Sequence, residues 1–571
     1  MKKLLALLLL TLSILGCTQK KGNQAKIDWQ EFGLELFEQA ELSNKYIILD
    51  LKANWCHWCH VMDDSTYSSE KVIAKLNESF LAVKTDQDAN PELANRYRKY
   101  GWPATIIFSP KGEEVFKNAG YINPQKFLAI LEQISNGEKI DEQKKRTKTY
   151  PNSSPQALLK KRYINGLDFI IGGANSNMKS INFSDYEYAT NHSSDSLLNW
   201  INLSIKGASQ LVDPEFGGIY QYSTFRRWDH QHYEKLLSRQ ARYIKIFCID
   251  YQLYQRQKSL ENALAIYKYT NNTLKGRKPL FFSAQDADLI PGEHSEDYFK
   301  LSKKERLKKG IPKIDTNTYT NYNAHMIDAL IALWVSTQKV EFLDQAELNY
   351  NDLKQSRKGA NLLYSHTSIN SETYALDDNL KMLKANFELY KCTQNQIYFE
   401  EARNMIDTII KLYQQNDLAI SYLKNNGLPP KPIIDENIDW CRLLNYAGYL
   451  YSDSTYSNLS KRIHRALMEK VLAGDIYKDG ELLTIDEEIN EEPLHAVILY
   501  ENETYRQQAV QASLSLLPFS IIIESYPISA VPDRIADRYG DWKTNTTFFC
   551  TSYSCSAPLT NIKAIKNYAI Q

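Results

Sequence analysis

The chain has 571 residues, in which 68 Lys and Arg side chains balance 68 Asp and Glu side chains. This length exceeds one compact domain and indicates several domains, or a small domain joined to a large one. The zero formal net charge gives no electrostatic basis for nucleic-acid binding, so we expect no nucleic-acid partner.

The N-terminus has the pattern of a bacterial export signal. Two lysines precede an apolar run, residues 4–15, which is too short for a typical membrane-spanning helix. The run ends at Gly16-Cys17, which resembles the lipobox of bacterial lipoproteins; a plain secretory signal is the alternative. We expect residues 1–17 to be a signal peptide ending at a lipidated Cys17, and residues 18–26 to be a tether. The protein would then be lipid-anchored in the bacterial cell envelope, on the periplasmic face or the outer membrane.

Residues 27–136 alternate between helix and strand patterns. Continuous apolar runs at 46–51, 80–84 and 105–108 predict buried strands, and stretches of helical period separate them. Turn residues at 109–112 predict that the next strand pairs back as a hairpin. This order is that of the α/β thioredoxin fold.

The run Cys56-His57-Trp58-Cys59-His60 admits three chemistries. Cys-x-x-Cys-His is the pattern of haem attachment, and two cysteines with a histidine are zinc ligands. Both are disfavoured, since the motif lies inside an α/β unit and no second ligand pair lies nearby. Thiol–disulfide exchange is the third chemistry, and it needs neither metal nor another cofactor.

A Cys-x-x-Cys that follows a strand and begins a helix places Cys56 at the helix N-terminus. The free N–H groups and the helix dipole there stabilise a thiolate, and protonated His57 would add to that effect. We therefore expect Cys56 to be an exposed nucleophile and Cys59 a buried resolving cysteine. The partner would be an exported protein thiol or another redox protein.

The segment Gly101-Trp102-Pro103-Ala104-Thr105 stands before the third predicted strand. It resembles the cis-proline loop of the thioredoxin superfamily, which implies that Pro103 is cis and packs against the dithiol. A proline that merely starts a strand is the alternative. The tryptophans beside these motifs are expected to contact the substrate: Trp55, Trp58 and Trp102.

Residues 137–156 are polar and charged and predict a linker. From 157 to 571 helix patterns dominate. Apolar helices around Trp334, Tyr390 and Tyr451, which are 56 and 61 residues apart, share a rhythm of helix, short turn and second helix. This period predicts an all-α (α/α) toroid of stacked helical hairpins.

The motifs together resemble one family, spermatogenesis-associated protein 20 and its bacterial relatives. The resemblance is carried by these segments: residues 56–62, 73–77, 83–86, 217–220, 227–237, 286–288, and the pair Cys550 and Cys555 near the C-terminus. It implies a thioredoxin-like domain followed by a domain similar to six-hairpin glycosidase and sugar-epimerase toroids. Because one fold hosts many activities, the resemblance gives the fold more than the function.

The second domain offers its own candidate chemistry. Paired carboxylates in such toroids can act as acid and base on a sugar, and the candidates are Glu234, Asp286 and Asp288, with His232 as a proton carrier. The alternative is that these side chains cap helices and structure loops. Cys550 and Cys555 suggest a structural disulfide, with zinc or free thiols as alternatives.

Two functions therefore compete. In the first, a membrane-tethered thiol–disulfide oxidoreductase acts on exported proteins through Cys56 and Cys59. In the second, the toroid binds or processes a glycan and the thioredoxin-like domain is structural. A non-enzymatic envelope scaffold is a third alternative.

Overall fold

A computed structural model describes residues 26–138 and 154–568, except 193, 277–278, 372, 474–477, 517–519 and 540–541. The predicted signal peptide, Cys17 and most of the predicted linker lie outside the described residues. Within the described ranges, no helix combines the length and the apolar character needed to cross a membrane.

The first domain is built around a five-stranded sheet. Its strands are β1 (Trp29–Gln30), β2 (Tyr46–Lys52), β3 (Phe80–Asp86), β4 (Ala104–Phe108) and β5 (Glu114–Ala119). Its helices are α1 (Leu34–Ser43), α2 (His57–Ser65), α3 (Glu70–Ser79), α4 (Pro91–Tyr97) and α5 (Pro124–Ser135).

The sheet has the order β1-β3-β2-β4-β5, with β2 parallel to β3 and antiparallel to β4. Strand β5 pairs back antiparallel to β4, as the predicted hairpin requires. Successive side chains of a strand point to opposite faces, so Ile48 joins one core with Leu76 and Leu131, and Leu49 joins another. Helices on both faces cover the sheet, which confirms the α/β thioredoxin order.

The second domain is mainly helical. Its helices are α6 (Pro155–Gly166), α7 (Phe183–Asn191), α8 (Asp195–Ala208), α9 (Leu237–Tyr254), α10 (Gln257–Thr273), α11 (Glu296–Phe299), α12 (Lys303–Lys309), α13 (Thr320–Thr337), α14 (Val340–Arg357), α15 (Leu376–Thr393), α16 (Gln396–Tyr413), α17 (Ile434–Leu450), α18 (Ser454–Leu472), α19 (Asp479–Asn490), α20 (Glu503–Leu516), α21 (Asp533–Tyr539) and α22 (Ile562–Lys566). Its strands are β6 (Tyr222–Ser223), β7 (Gln231–His232), β8 (Lys235–Leu236), β9 (Ala284–Gln285), β10 (Ile314–Asp315), β11 (Gln414–Gln415), β12 (Leu418–Ala419), β13 (Leu494–Tyr500), β14 (Ile521–Pro527) and β15 (Thr546–Cys550).

These helices form a closed ring of hairpins, which confirms the predicted toroid. Among the described residues, the inner helices follow one another around the ring in the order α7, α9, α13, α15, α17 and α19, and α19 contacts α7. The outer helices α8, α10, α14, α16 and α18 each pack against the inner helix before them in the chain. The last inner helix, α19, instead packs against α6, the first helix of the domain. Inner helices are enclosed on nearly all sides, and Trp334 and Trp440 on two of them are fully buried.

A small sheet near the C-terminus was not foreseen from the helix patterns. Strand β13 lies at its centre, parallel to β14 and antiparallel to β15. The sheet and α20 lie at the end of the ring where the inner helices end: Gln511 on α20 donates to the Trp334 carbonyl, and Gln394 donates to the Ile523 carbonyl. The small C-terminal sheet and α20 therefore fill this end of the ring.

The thioredoxin-like domain covers the other end, where the inner helices begin. Asn95 donates to Glu436 at 2.9 Å, and Arg98 lies 3.1 Å from Asp435 at the start of α17. The ring of Phe37 packs so closely on Gly427 that a Cβ there would lie 2.0 Å from it. The domains are thus docked, and the dithiol lies in their interface.

Candidate functional site at the domain interface

Cys56 and Cys59 form a disulfide at the start of α2. Cys56 is the N-cap residue, and its sulfur accepts a hydrogen bond from the Cys59 N–H at 3.2 Å. A sulfur held against the first N–H groups of a helix is favoured as a thiolate. The predicted position of Cys56 at a helix N-terminus is therefore confirmed.

The peptide bond between Trp102 and Pro103 is cis, as the resemblance to the cis-proline loop implied. Trp102 packs against the apolar cluster that holds Cys56 and Cys59. The two motifs, 44 residues apart in the chain, therefore meet beside the disulfide.

The prediction that Cys56 is exposed is wrong. Cys56 is only 5% exposed and Cys59 3%, because both pack against Ala284 and Leu236 of the second domain. In this arrangement a folded protein cannot bring its disulfide into contact with the Cys56 sulfur. Because an extended substrate would need the surface that the toroid occupies, access to the dithiol requires the domains to separate.

Four side chains connect the dithiol motif to the toroid, and we call them the His–Asp latch: His57, His60, Asp286 and Asp288. The Nδ1 of His57 lies 2.9 Å from both carboxylate oxygens of Asp288. The Nε2 of His60 lies 2.9 Å from Asp286 Oδ2. Burial disfavours a charged imidazole at His60, but the hydrogen bond to Asp286 and the charges of Asp286 and Asp288 together outweigh it and raise the pKa of His60. The latch is thus a pair of buried, charge-assisted contacts.

The loop that carries the two aspartates is held by its own backbone. Asp286 accepts from the Asp288 N–H and Asp288 accepts from the Gly292 N–H, both at 2.9 Å. The ring of His294 in the same loop packs against the His57 ring, with 4.3 Å between the ring centroids. The two backbone hydrogen bonds orient the carboxylates within their own loop, and the His294 ring adds a contact across the domain interface.

Glu234 and His232 lie next to the latch. Strand β8 pairs with β9 so that Leu236 faces Ala284, and continuing this antiparallel register brings Glu234 opposite Asp286. Burial, together with the charges of Asp286 and Asp288, raises the pKa of Glu234 to about 8, and its Oε2 has no hydrogen-bond partner among the described residues. His232 stacks on Tyr222 with ring centroids 4.3 Å apart.

The sugar-processing role that we predicted for these residues is not supported by where they lie. His232, Glu234, Asp286 and Asp288 are absent from the lining of the cavity inside the ring, within the described residues. Instead they surround the dithiol motif, and Asp286 and Asp288 are occupied by histidines of the first domain. The residues of the two predicted sites therefore lie together at the domain interface.

His232 gives the site a pH dependence. Burial, with the nearby His230, His57 and His294, lowers the pKa of His232 to about 4. The folded state then binds fewer protons than the unfolded state between about pH 4 and 6.5, so stability falls as the pH falls through that window. Between pH 7 and pH 4.5, we expect the free energy of unfolding of His232→Asn to fall by about 2 kcal/mol less than that of wild type. Urea unfolding at pH 7 and pH 4.5 would measure it, with Gln231→Asn as the control, because this neighbouring side chain of β7 does not titrate. Equal pH slopes for wild type and His232→Asn would contradict the prediction.

Three side chains of the latch are close enough to hold a metal ion. One ligand atom of each lies within 4.8 Å of the others: His60, Asp286 and Asp288. Both aspartates already accept hydrogen bonds from imidazole and backbone N–H groups. We therefore interpret the cluster as paired histidines and aspartates that stabilise the domain interface.

Two further polar residues of the site were missed from the sequence. Asp88 accepts from Trp55 Nε1 at 2.6 Å and from the Tyr322 hydroxyl, and its carbonyl binds His366 Nε2 at 2.7 Å. Asp50 lies on β2, six residues before Cys56, and burial raises its pKa to about 7. An aspartate inside an otherwise apolar strand was the available signal for Asp50. Nothing local marked Asp88, whose partners are distant in the chain.

The three tryptophans that were predicted to contact substrate have different positions. Trp58 is 42% exposed beside the dithiol, whereas Trp55 is buried. Trp55 and Trp102 line a cavity of about 320 Å³ that lies inside the ring and is covered by the thioredoxin-like domain. Both tryptophans thus contact the dithiol cluster on one side and the cavity on the other.

Cys550 and Cys555 form a second disulfide, as predicted. Cys550 ends β15 and forms a β-bridge with Cys555. Three other cysteines, Cys248, Cys392 and Cys441, are buried and free. Burial raises the pKa of Cys248 and of Cys441 to about 12, which makes them unreactive thiols.

Comparison with known families agrees with this architecture. Residues 18–156 match a family model described as Thioredox_DsbH, protein of unknown function, DUF255. Spermatogenesis-associated protein 20 of Mus musculus is 27% identical over 315 residues, which are 46% of this chain and 39% of the mouse protein. The chain thus matches about two fifths of that relative's length. The resemblance predicted from the sequence is confirmed.

Other similarities cover single domains. The thiol:disulfide interchange protein DsbD of Campylobacter jejuni is 29% identical over 101 residues, 17% of this chain and 18% of DsbD. Among solved structures, a cellobiose 2-epimerase from Bacillus thermoamylovorans covers 54% of this chain and 84% of its own, at 11% identity and a TM-score of 0.44. A DsbH oxidoreductase covers 20% of this chain and 88% of its own, at 20% identity and a TM-score of 0.17.

Proposed function

We propose that this protein is a thiol–disulfide oxidoreductase whose reactive pair is Cys56 and Cys59. The observation that carries the proposal is the Cys56 sulfur at the N-cap of α2, in one apolar cluster with Trp102 of the cis-proline loop. In the reduced protein, the Cys56 thiolate attacks a partner disulfide, forms a mixed disulfide and releases one partner thiolate. Cys59 then attacks the Cys56 sulfur, which releases the second thiol. The partner gains two electrons, and the Cys56–Cys59 disulfide forms.

The test is a trapping experiment with the full chain. Cys59→Ser removes the resolving thiol, so the reduced variant should accumulate a stable mixed disulfide at Cys56 with a small disulfide such as glutathione disulfide. Mass spectrometry of the intact protein measures the adduct. Wild type should instead return to the internal disulfide without an adduct. A Cys59→Ser chain that stays unmodified even when Asp286→Asn and Asp288→Asn also remove the latch would contradict the proposal.

We also propose that the protein acts at the bacterial cell envelope, on exported proteins, anchored through Cys17. The supporting observation is the glycine and cysteine at the end of a short apolar run. In a bacterial host, Cys17→Ala should abolish incorporation of a labelled fatty acid and release the chain from the membrane fraction. Cys248→Ala, which changes a buried cysteine, is the control. Unchanged labelling of Cys17→Ala would contradict this location.

A second candidate function is the binding of a small molecule, with carbohydrate as the proposed class, in the covered cavity. The observation that favours it is a cavity of about 320 Å³ lined by Trp55 and Trp102 together with many polar side chains. Small-molecule sites have this concave form, with aromatic walls and a few oriented polar groups. Catalysis on a glycan by Glu234, Asp286 and Asp288 is not part of this proposal.

A further inference from the structure

The cavity inside the ring is lined by many charged side chains, and most of its cations are ion-paired. Lys245 and Lys384 both bind Asp328, and Arg442 binds Glu187 and Glu488. The other paired lining cations are Arg98, Lys381 and Lys478. The positive charges of these six side chains are therefore neutralised by carboxylates of the protein.

Arg239 and Arg242 differ from these six. Both line the cavity, and neither forms an ion pair or a side-chain hydrogen bond within the part of the chain that the structure describes. They are three residues apart on α9, so their side chains lie on the same face of the helix. Burial, together with the positive charges of Arg98 and Arg239, lowers the pKa of Arg242 to about 10. Two adjacent guanidinium groups are thus partly desolvated without a counter-ion, which is unfavourable.

The acidic groups nearest to these arginines do not supply that counter-ion. Asp439 and Asp377 are the acidic neighbours of Arg242, and both carboxylates are bound by Lys381. Glu436 also lines the cavity and is only 3% exposed. Burial raises the pKa of Glu436 well above its usual range, and its Oε2 has no hydrogen-bond partner among the described residues. A neutral Glu436 carboxyl group adds no negative charge to this part of the cavity lining.

The start of α9 adds to the positive potential of this region. The first N–H of α9, at Leu237, donates to the Ser283 carbonyl at 2.8 Å. No side chain caps the N–H groups of this first turn, and Ser238 in it lines the cavity. Helix N-termini favour negative charge. The arginine side chains and the helix N-terminus therefore favour an anion, and the protonated Glu436 carboxyl group does not oppose one.

We propose that the covered cavity binds an anionic small molecule, whose carboxylate or phosphate group is held by Arg239 and Arg242. The inference rests on the second candidate function, a ligand in this cavity, and specifies the chemistry of that ligand. Guanidinium groups bind carboxylate and phosphate oxygens in bidentate fashion. The neutral rest of the ligand then contacts Trp55 and Trp102.

The experiment measures ligand binding by the full-length wild-type chain and by Arg239→Gln/Arg242→Gln. The probes are glucuronate, inorganic phosphate and glucose, at constant ionic strength, followed by thermal unfolding and calorimetric titration. We expect glucuronate or phosphate to raise the unfolding temperature of wild type, and the double variant to bind it at least tenfold more weakly. Binding of glucuronate alone assigns a carboxylate ligand, and binding of phosphate alone assigns a phosphate ligand.

Lys258→Gln/Lys268→Gln is the matched control, because it removes two exposed positive charges from the neighbouring helix. This control should bind like wild type. Arg239→Lys/Arg242→Lys keeps both positive charges and should retain part of the affinity. This variant separates the loss of charge from a folding defect. Glucose binding without anion binding overturns the inference but leaves the cavity function standing. Binding of no probe overturns both, and equal anion binding by the glutamine variant overturns the inference.

Discussion

Asp286→Asn/Asp288→Asn is expected to expose the dithiol and to raise the alkylation rate of reduced Cys56 at least tenfold. Each His–Asp contact of the latch is a buried hydrogen bond to a charged group, which contributes about 1.5–3 kcal/mol. Asparagine retains an oxygen for the loop N–H groups but removes the charge that holds His57 and His60. Because about 1.4 kcal/mol changes an equilibrium tenfold, loss of both contacts increases the separated population strongly. Mass spectrometry of iodoacetamide adducts measures the rate.

The control for this variant is Glu296→Gln/Asp297→Asn. It removes two negative charges from the same loop region, on side chains that are 58% and 99% exposed. Since no hydrogen bond or ion pair joins these side chains to the described residues of the first domain, the alkylation rate of Cys56 should stay at the wild-type value. Equal rates for the latch variant and wild type would show that other contacts hold the domains together.

The second large effect is expected from Cys56→Ser in the chain that carries the two latch substitutions. Cys56→Ser removes the thiolate at the N-cap of α2. Cys59, in the first turn of the same helix, then has no second cysteine with which to form the internal disulfide and release a mixed disulfide. Turnover of insulin disulfides with a dithiol reductant should fall at least a hundredfold, to the level of the reductant alone.

Cys441→Ser is the matched cysteine control, because Cys441 is a buried free thiol of the second domain. It should leave turnover unchanged. Turnover that survives in Cys56→Ser would place the reactive thiol elsewhere and reject the proposed function.

Local sequence patterns predicted the elements that depend on neighbouring residues. The apolar run before Cys56 became a central strand, Pro103 became the cis residue beside the dithiol, and the helical period of the second domain became a closed ring. The small sheet around β13 was not predicted, because its strands lie among helices and pair over long sequence distances. Period alone does not separate a short buried strand from a helix segment.

The candidate site was predicted in its residues but not in its arrangement. Cys56, Asp286 and Asp288 were all singled out, yet the carboxylates were assigned to a separate sugar site. Their actual partners are His57 and His60, more than 200 residues away in the chain. Such contacts follow from domain docking, which no local pattern encodes, and for the same reason Cys56 was wrongly expected to be exposed.

The ring closes through contacts between α6, the first helix of the second domain, and α19, the last inner helix, so it cannot close until α19 has been synthesised. Arg162 on α6 binds Asp479 on α19, which is 317 residues later. At about 5–20 residues per second, a ribosome needs roughly 15–60 s to make the chain between them. The thioredoxin-like domain is complete before this interval, while the surface that will cover it is still unmade. We therefore expect Cys56 to react freely with thiols and oxidants on the nascent chain and to lose that reactivity once the ring closes.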